Sequence, residues 1–488
     1  MGRRYQRRSI GILPFIKSRL FTALNKALSE GYSRQDLFSD MLAGSVVALI
    51  AIPLGMALAI ASGVPPQHGL YTVIVGGFFI ALLGGSRLQV SGPTAAFVVV
   101  LVPVVQKFGL SGLLISGFLA GLILIAMGIA RMGRLIQFIP YPVTTGFTSG
   151  IAVVIAVLQI KDFFGLSVGE LPETFLQKLV VLLGSLGSFS TGELSVGFVT
   201  LFILVMWPRW NKNIPAPLVA LSVVSVGAWA LTQLVSGFEI TTIGSRFTEG
   251  VPQSLPEFYW PFEQVDFNLI RSIFPSAFAI AMLAAIESLL SAVVADGVAQ
   301  TKHDPDGELI ALGVGNVLCP LFGGIPATGA IARTMTNIRY GAKSPLSSMF
   351  HAVFALITIL LLAPIISYLP MASLAALLVL VAYNMSEYRH FLHILRVAPR
   401  SDVMVLLVCF FLTVIFDMVV GVTVGVVLAS FLFLRRMAEV TEGHLVIANK
   451  DTQTNDAEVP SNMVIYEIEG ALFLWCSRES RECIVRHH

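Results

Sequence analysis

Long apolar stretches recur along the chain between residues 40 and 434, and short polar or charged linkers separate them. A helix needs about 20 consecutive apolar residues to cross the hydrocarbon core of a bilayer. Because lipid offers no partner for backbone N–H and C=O groups, stretches of this length predict membrane-spanning helices. The pattern predicts fourteen segments, at residues 40–60, 69–84, 93–107, 111–130, 142–161, 174–206, 215–235, 271–297, 307–322, 327–338, 346–367, 370–385, 402–416 and 418–434.

Two of these apolar stretches are broken by a proline among small residues, at 91–96 and at 323–330. Each break predicts a short helix whose first backbone N–H groups have no intrahelical partner. Such groups form a favourable anion-binding site, which we call the anion seat. Secondary transporters commonly bind charged substrates between two such half-helices near the middle of the membrane. The breaks therefore predict a binding site as well as a change of chain direction.

The spacing of the breaks predicts an internal repeat. Pro53, which we expect to interrupt the helix of the first span, lies 40 residues before Pro93, and Glu287 lies 39 residues before Pro326. A full span, a second span and a half-helix thus occur twice at nearly one spacing. Seven spans per unit, an odd number, would invert the second unit relative to the first, as is typical of secondary transporters. We predict an all-α polytopic membrane protein with a 7+7 inverted repeat, whose third and tenth spans are half-helices.

Composition and charge agree with this class. The chain is 56% hydrophobic and 12% charged, whereas soluble domains carry about 25% charged residues. Residues 1–39 are basic and polar, without the apolar core and cleavage site of a signal peptide. Lys and Arg concentrate in alternate loops, so the positive-inside rule predicts a multi-pass membrane protein with both termini in the cytoplasm. We expect that membrane to be a bacterial inner membrane. The four cysteines lack metal-ligand spacing, and no nucleophile–base pattern is present, so we expect no enzyme, cofactor, metal or nucleic-acid partner.

Several short motifs carry a resemblance to a known family. They are PPQHGLY at 65–71, GGSR at 84–87, SGPT at 91–94, and Ala332-Arg333 with Lys343 ten residues after the arginine. In this order they resemble the sulfate permease (SulP, solute carrier 26) family of anion transporters over residues 36–440. The resemblance implies a core domain, a gate domain and a homodimer with a cytoplasmic STAS domain after the last span. The implied core covers about 40–131 and 271–367, and the implied gate covers about 138–236 and 370–437.

The carboxyl end departs from the family. Residues 463–473 alternate like a strand and resemble the opening of a STAS domain, but the family's continuation does not follow. Codons compatible with residues 474–483, read in an adjacent frame, encode a continuation of that kind. We interpret 438–488 as a truncated start of a STAS domain with a frameshifted end, with a natural short tail as the alternative. Sequencing the DNA across codons 470–485 distinguishes the two.

The start of each half-helix is the predicted substrate site. A helix amino terminus carries about half a positive charge and binds an anion without a buried lysine. Small side chains let the anion approach the backbone, although close helix packing selects small residues too. The predicted binding residues are Thr94, Ala95, Ala96, Phe97, Thr328, Gly329, Ala330, Ile331 and Ala332. The resemblance adds Pro53, Leu54 and Leu58 on the first span. It also adds Arg333, whose charge supports the seat or pairs with Glu287.

Glu287 is the candidate coupling residue. A carboxylate deep in a span costs about 2.5–3.5 kcal/mol on insertion scales, so such residues usually face a cavity and have a role. Burial favours the protonated form, which suits proton coupling. Ser291 lies four residues on, on the same helical face, so the pair is alternatively a Na⁺ site. A structural, hydrogen-bonding glutamate is the third alternative.

The sequence as a whole favours a secondary active transporter of small anions, coupled to H⁺, that moves its core against its gate like an elevator. Leu54 and Leu58 stand where many sulfate-transporting members have Gln and an aromatic residue, so bicarbonate or a small dicarboxylate is favoured over sulfate. The alternatives are a Na⁺-coupled bicarbonate symporter, an anion exchanger or channel, and a nucleobase transporter of the same fold. The last usually has a second acid on the second half-helix, where this chain reads ATGAIA at 327–332.

Overall fold

Helices form most of the structure. The computed structural model describes residues 19–136, 140–169, 172, 174–211, 214–234, 238–247, 250–262, 266–416, 418–440, 442–446 and 465–469. Its helices are α1 Thr22–Ser29, α2 Arg34–Ala61, α3 Pro66–Tyr71, α4 Gly77–Leu83, α5 Ala95–Ile129, α6 Gly133–Ile136, α7 Tyr141–Phe164, α8 Phe175–Gly184, α9 Thr191–Trp210, α10 Ala216–Leu234, α11 Ile243–Arg246, α12 Phe267–Ala299, α13 Pro305–Leu321, α14 Ile331–Arg339, α15 Leu346–Ile366, α16 Met371–Met385, α17 Tyr388–Val397, α18 Arg400–Ile415 and α19 Met418–Val440. A π-helical turn, Thr72–Gly76, joins α3 to α4.

Four short strands accompany these helices. They are β1 Ser91–Gly92, β2 Thr328–Gly329, β3 Glu442–Val446 and β4 Ile465–Glu469. Strand β1 pairs antiparallel with β2, and β3 pairs antiparallel with β4. Strand β4 lies within the strand predicted at 463–473. Residues 470–488, on which the frameshift prediction rests, lie outside the described residues.

The predicted membrane segments fall largely on helices, although residues 327–330 of the tenth precede α14. The polytopic membrane architecture is confirmed. Within the described ranges, nine helical stretches are long and apolar enough to cross a membrane, among them α2, α12 and α15. Several other predicted segments fall on shorter helices, such as α13 and α14. The count of fourteen spans stays a prediction.

Two local features set the course of the first spans. Helix α2 begins at a capping box of Ser33 and Asp36 and continues through Pro53 to Ala61. Pro53 removes one backbone donor and disturbs the helix locally, but it does not end it, so the expectation that Pro53 interrupts the first span is wrong. Helix α5 changes direction at Gly109, whose φ is +66°, a value that glycine adopts without strain. This break falls between the predicted third and fourth spans.

The helices sort into two packing groups. In the first, α13 packs along α5, α15 packs along α2, and α12 packs against α5 and α14. In the second, α7 packs against α16 and α18, while α9 packs against α10 and α16. The first group thus interleaves helices from both halves of the chain and corresponds to the predicted core. The second corresponds to the predicted gate, and the domain boundaries themselves stay a prediction.

Close packing of α5 on α13 depends on two facing glycines. A Cβ added at Gly121 would lie 2.7 Å from the carbonyl oxygen of Gly313, and one at Gly313 would lie 2.7 Å from that of Gly121. We expect Gly121→Ala to destabilise the protein by about 1–3 kcal/mol through overpacking and to lower its melting temperature in detergent.

Gly227→Ala on α10 is the matched control, because a Cβ there meets nothing within 4 Å. Alanine is the better helix former by about 1 kcal/mol, so this variant should be neutral or slightly more stable. Equal effects of the two substitutions would contradict the packing argument.

Candidate functional site

The two half-helices meet at their amino ends. Helix α5 begins at Ala95 directly after β1 and Thr94, and α14 begins at Ile331 directly after β2 and Ala330. In the antiparallel pair, Ser91 lies opposite Gly329. The pairing therefore brings both helix starts to one place in the core, which we call the junction. The prediction of two facing half-helices corresponds to this arrangement.

The second half-helix begins later than its sequence suggested. Thr328 and Gly329 are extended in β2 rather than helical, because the ladder with β1 takes up this part of the backbone. The Ala330 N–H donates to the carbonyl of Val90 at 2.9 Å, and the first intrahelical bond of α14 runs from the Thr334 N–H to Ala330. The backbone N–H groups at the helix starts, which precede the first intrahelical bonds, belong to Ala95, Ala96, Ile331, Ala332 and Arg333.

Glu287 reaches the junction from α12. The Thr94 hydroxyl donates a hydrogen bond of 2.7 Å to Glu287 Oε2, and Thr94 is the residue that precedes the first turn of α5. The half-buried carboxylate is thus tied to the entrance of the first half-helix. The structure brings the predicted coupling residue and the predicted seat together, although 193 residues separate them in the chain.

Arg333 crosses from α14 to the other half-helix. Arg333 is 2% exposed, and its Nη2 donates to the carbonyl of Pro93 at 2.5 Å. A Cβ at Gly92 would lie 2.6 Å from Nη1, so the glycine leaves room for the guanidinium. The charges of Arg333 and Glu287 attract each other, but no salt bridge joins them among the described residues. The arginine contributes positive potential at the junction and binds its backbone.

Ser291 has a different partner from Glu287. Its hydroxyl lies 3.3 Å from that of Thr334 on α14, and Thr334 in turn accepts a bond from the Val90 N–H at 3.0 Å. The hydroxyl of Thr328 donates to the carbonyl of Ala284 at 2.8 Å. Both hydroxyls therefore fasten α12 to the second half of the junction, and a Na⁺ site at Glu287 and Ser291 stays a prediction.

The remaining predicted residues lie in the apolar core around the junction. Ala95, Ala96, Phe97 and Leu58 are buried in one hydrophobic cluster, and Leu54 packs against it. Pro53 is buried on the same helix as the two leucines. The substrate contacts predicted for these side chains stay a prediction.

A cavity of about 1250 Å³ opens on the face that carries the predicted cytoplasmic loops, and its lining includes Ile286 and Leu289, which lie close to Glu287 in the chain. Five basic side chains line it, against three acidic ones, and this excess of positive charge attracts anions. The basic residues are Arg19, Lys26, Arg87, Arg134 and Lys302, and the acidic ones are Glu30, Asp296 and Asp304. Arg19 pairs with Asp304 at 2.6 Å, and this hydrogen bond raises the pKa of the arginine.

Sequence reasoning missed the buried amides that hold the junction. The Asn316 side chain donates to the Ala327 carbonyl at 2.8 Å and accepts from its N–H at 2.9 Å. Asn337 donates to the carbonyl of Leu88 at 2.9 Å, and Gln89 donates to the Ser288 hydroxyl at 2.6 Å. The sequence feature that could have identified them is an Asn or Gln within or beside an apolar segment. Such an amide, once buried, needs a hydrogen-bond partner in the protein.

Comparison with known proteins identifies the family. The sequence model of the sulfate permease family matches residues 37–409. The chain belongs to the sulfate permease family. The putative sulfate transporter YvdB of Bacillus subtilis (strain 168) is 42% identical to it over 463 residues, which cover 94% of this chain and 84% of that protein. The bicarbonate transporter BicA of Picosynechococcus sp. (strain ATCC 27264 / PCC 7002 / PR-6) is 32% identical over 416 residues, covering 83% of this chain and 71% of that protein.

Solved structures show the same fold. The transmembrane domain of a cyanobacterium bicarbonate transporter BicA superposes with a TM-score of 0.69 at 29% identity, covering 82% of this chain and 98% of that one. Murine Slc26a9, an anion transporter solved in the inward-facing state, gives a TM-score of 0.81 at 20% identity, covering 93% of this chain and 76% of that one. The second likeness shows the fold alone.

Membership in the sulfate permease family confirms the resemblance carried by the motifs at 65–71, 84–87 and 91–94. It makes this protein a multi-pass membrane transporter, and the expectation that the chain is not an enzyme is confirmed by its transporter relatives. The relatives are named for different anions, sulfate in one case and bicarbonate in the other. Family membership therefore shows an anion transporter and leaves the particular anion to be argued from the site.

Proposed function

We propose that this protein is a secondary active transporter that takes up small anions together with H⁺, and that bicarbonate or a small dicarboxylate is its substrate in preference to sulfate. The observation that carries the proposal is the junction, where two helix amino ends meet and Thr94 ties Glu287 to one of them at 2.7 Å. Helix amino ends stabilise an anion. The carboxylate beside them supplies a site for the co-transported proton.

The coupling follows from electrostatics. An ionised Glu287 repels an anion at the junction, and burial strengthens that repulsion because the local dielectric constant is low. Protonation of Glu287 removes the repulsion, so anion and proton bind more tightly together than either does alone. This reciprocity between two sites is the thermodynamic condition for symport.

During transport, the core group moves relative to the gate group in an elevator-type movement. Backbone pairing of β1 with β2 and the bonds from Arg333 and Asn316 fasten the junction into the core group, so the site travels with the core as one body. The gate group packs on it more sparsely. Inter-domain contacts of limited extent permit relative movement. The protein functions in a bacterial cell membrane with both termini in the cytoplasm, as a homodimer.

The preference for bicarbonate over sulfate is supported by the first span. Leu54 and Leu58 are apolar and pack in the core near Ala95 and Phe97, so they offer no hydrogen bond to a sulfate ion. A doubly charged, strongly hydrated anion loses more solvation free energy than a singly charged one on entering such surroundings. Bicarbonate meets that condition better than sulfate.

A counterflow panel tests the proposal. Proteoliposomes of the purified full chain are loaded with bicarbonate, sulfate, chloride or fumarate and assayed for exchange of labelled anion at fixed pH and Na⁺. We expect the greatest exchange with bicarbonate or fumarate. In a separate assay of net uptake, we expect an inward proton gradient to stimulate uptake. A steady anion current without any cation gradient indicates a channel instead, and an absolute requirement for Na⁺ indicates the Na⁺-coupled symporter.

A further inference from the structure

The side chain of Gln89 lies at the foot of the junction. Gln89 precedes β1 by two residues and is 5% exposed. Its amide lies directly against Gly329 in β2, where an added Cβ would fall 1.9 Å from Gln89 Nε2, 2.7 Å from the side-chain carbonyl carbon and 3.0 Å from Ser288 Cα. The amide therefore belongs to the wall of the junction rather than to the helix surfaces around it.

A hydrogen-bond relay fixes which end of the amide is unpaired. Glu308 Oε2 accepts from the backbone N–H groups of Gly85 and Ser86, each at 3.0 Å, which holds the carboxylate as an acceptor. The Ser288 hydroxyl directs its single proton to Glu308 Oε1, 3.4 Å away. The oxygen of that hydroxyl must then accept, and Gln89 Nε2 donates to it at 2.6 Å.

The other end of the amide is left without a partner. Gln89 Oε1 is buried and makes no hydrogen bond to any of the described residues. Leaving a buried acceptor unpaired costs about 1–3 kcal/mol. The N–H groups at the helix starts and the guanidinium of Arg333 are donors. Glu287 is an acceptor but repels an anion when it is ionised, whereas the amide oxygen of Gln89 carries no net charge.

We propose, on the basis of the function proposed above, that Gln89 Oε1 accepts a hydrogen bond from an O–H group of the transported anion and so determines specificity. Bicarbonate and a singly protonated dicarboxylate each carry an O–H group. Sulfate, nitrate and chloride carry none, so their binding leaves Oε1 unpaired. A site built to accept from a hydroxyl rejects the analogue that lacks it more strongly than an apolar pocket rejects an extra group.

Bicarbonate and nitrate form the discriminating pair, because both are planar anions of one negative charge and similar size, and only bicarbonate has a proton to donate. Uptake of each is measured in proteoliposomes of the full chain at alkaline pH, where CO₂ is a minor species. The unaltered protein should favour bicarbonate by about tenfold or more. The ratio of bicarbonate to nitrate uptake by the unaltered protein therefore tests the inference without any substitution.

Gln89→Met should lower the bicarbonate-to-nitrate ratio towards one, since methionine has a similar volume and no strong acceptor. Gln159→Met is the matched control, because Gln159 is a buried glutamine of α7 outside the core group. This variant should retain the ratio. The rise in melting temperature that each anion produces in detergent gives a second measure, independent of transport.

The outcomes separate the two proposals. A preference that Gln89→Met removes and Gln159→Met leaves supports the role of Gln89. An unaltered protein that transports both anions equally, or a Gln89→Met variant that keeps the preference, overturns this role while anion transport stands. An unaltered protein that transports no anion overturns the proposed function itself.

Discussion

Glu287→Gln should abolish the response of anion uptake to a pH gradient while exchange of anion for anion continues. Glutamine has the size of glutamate, and its amide oxygen can still accept the bond from Thr94, so the junction keeps its geometry. The amide cannot take up and release a proton at accessible pH. Accumulation driven by an inward proton gradient should therefore fall to the level seen without a gradient, whereas counterflow at equal pH should remain.

The measurement compares both activities in one preparation of proteoliposomes. Glu239→Gln serves as the control, because Glu239 is an exposed carboxylate in the loop before α11 and its replacement should change neither activity. Unchanged proton dependence in Glu287→Gln would refute the coupling role of Glu287. Loss of a dependence on Na⁺ rather than on H⁺ would assign the residue to a Na⁺ site.

Arg333→Gln should weaken anion binding by about ten- to hundredfold, which corresponds to the loss of an interaction with a charged group. The substitution removes a buried positive charge from the junction together with the donor that binds the Pro93 carbonyl at 2.5 Å. It also removes the positive charge that attracts Glu287. The apparent affinity for anion, measured from counterflow at varied concentration, should fall more than the maximal rate.

Arg339→Gln is the control for this change, because Arg339 is exposed in the last turn of the same helix. Arg333→Lys separates two contributions. If charge alone matters, lysine should preserve most of the affinity; if the planar donor set matters, lysine should behave like glutamine. An anion affinity unchanged in Arg333→Gln would remove the arginine from any account of the seat.

Much of the architecture could be predicted because membrane helices satisfy their own backbone and depend on local hydropathy. The apolar helices and the break at Gly109 follow from that local pattern. Proline predicted the ends of helices less well. Pro53 lies inside α2, and α14 begins five residues after Pro326. Proline removes a donor from the backbone, but neighbouring helices decide whether the helix continues.

The site was predicted in part for a similar reason. Two helix starts and a carboxylate at matched spacing pointed to Thr94 and Glu287, and the structure places them 2.7 Å apart. The ladder of β1 with β2 and the relay through Gln89 were missed. These bonds join positions up to about 240 residues apart. Local periodicity in the sequence does not predict which distant group a buried amide will bond.

The pairing of Ser91 with Gly329 also has a consequence for biosynthesis. Contacts between distant positions form late, since the intervening chain must be made and ordered first. The first half of the protein therefore enters the membrane with the amino end of its half-helix lacking its partner strand. The proposed anion site is therefore complete only when the ribosome has passed the second half-helix, and a nascent chain of the first half alone would lack it.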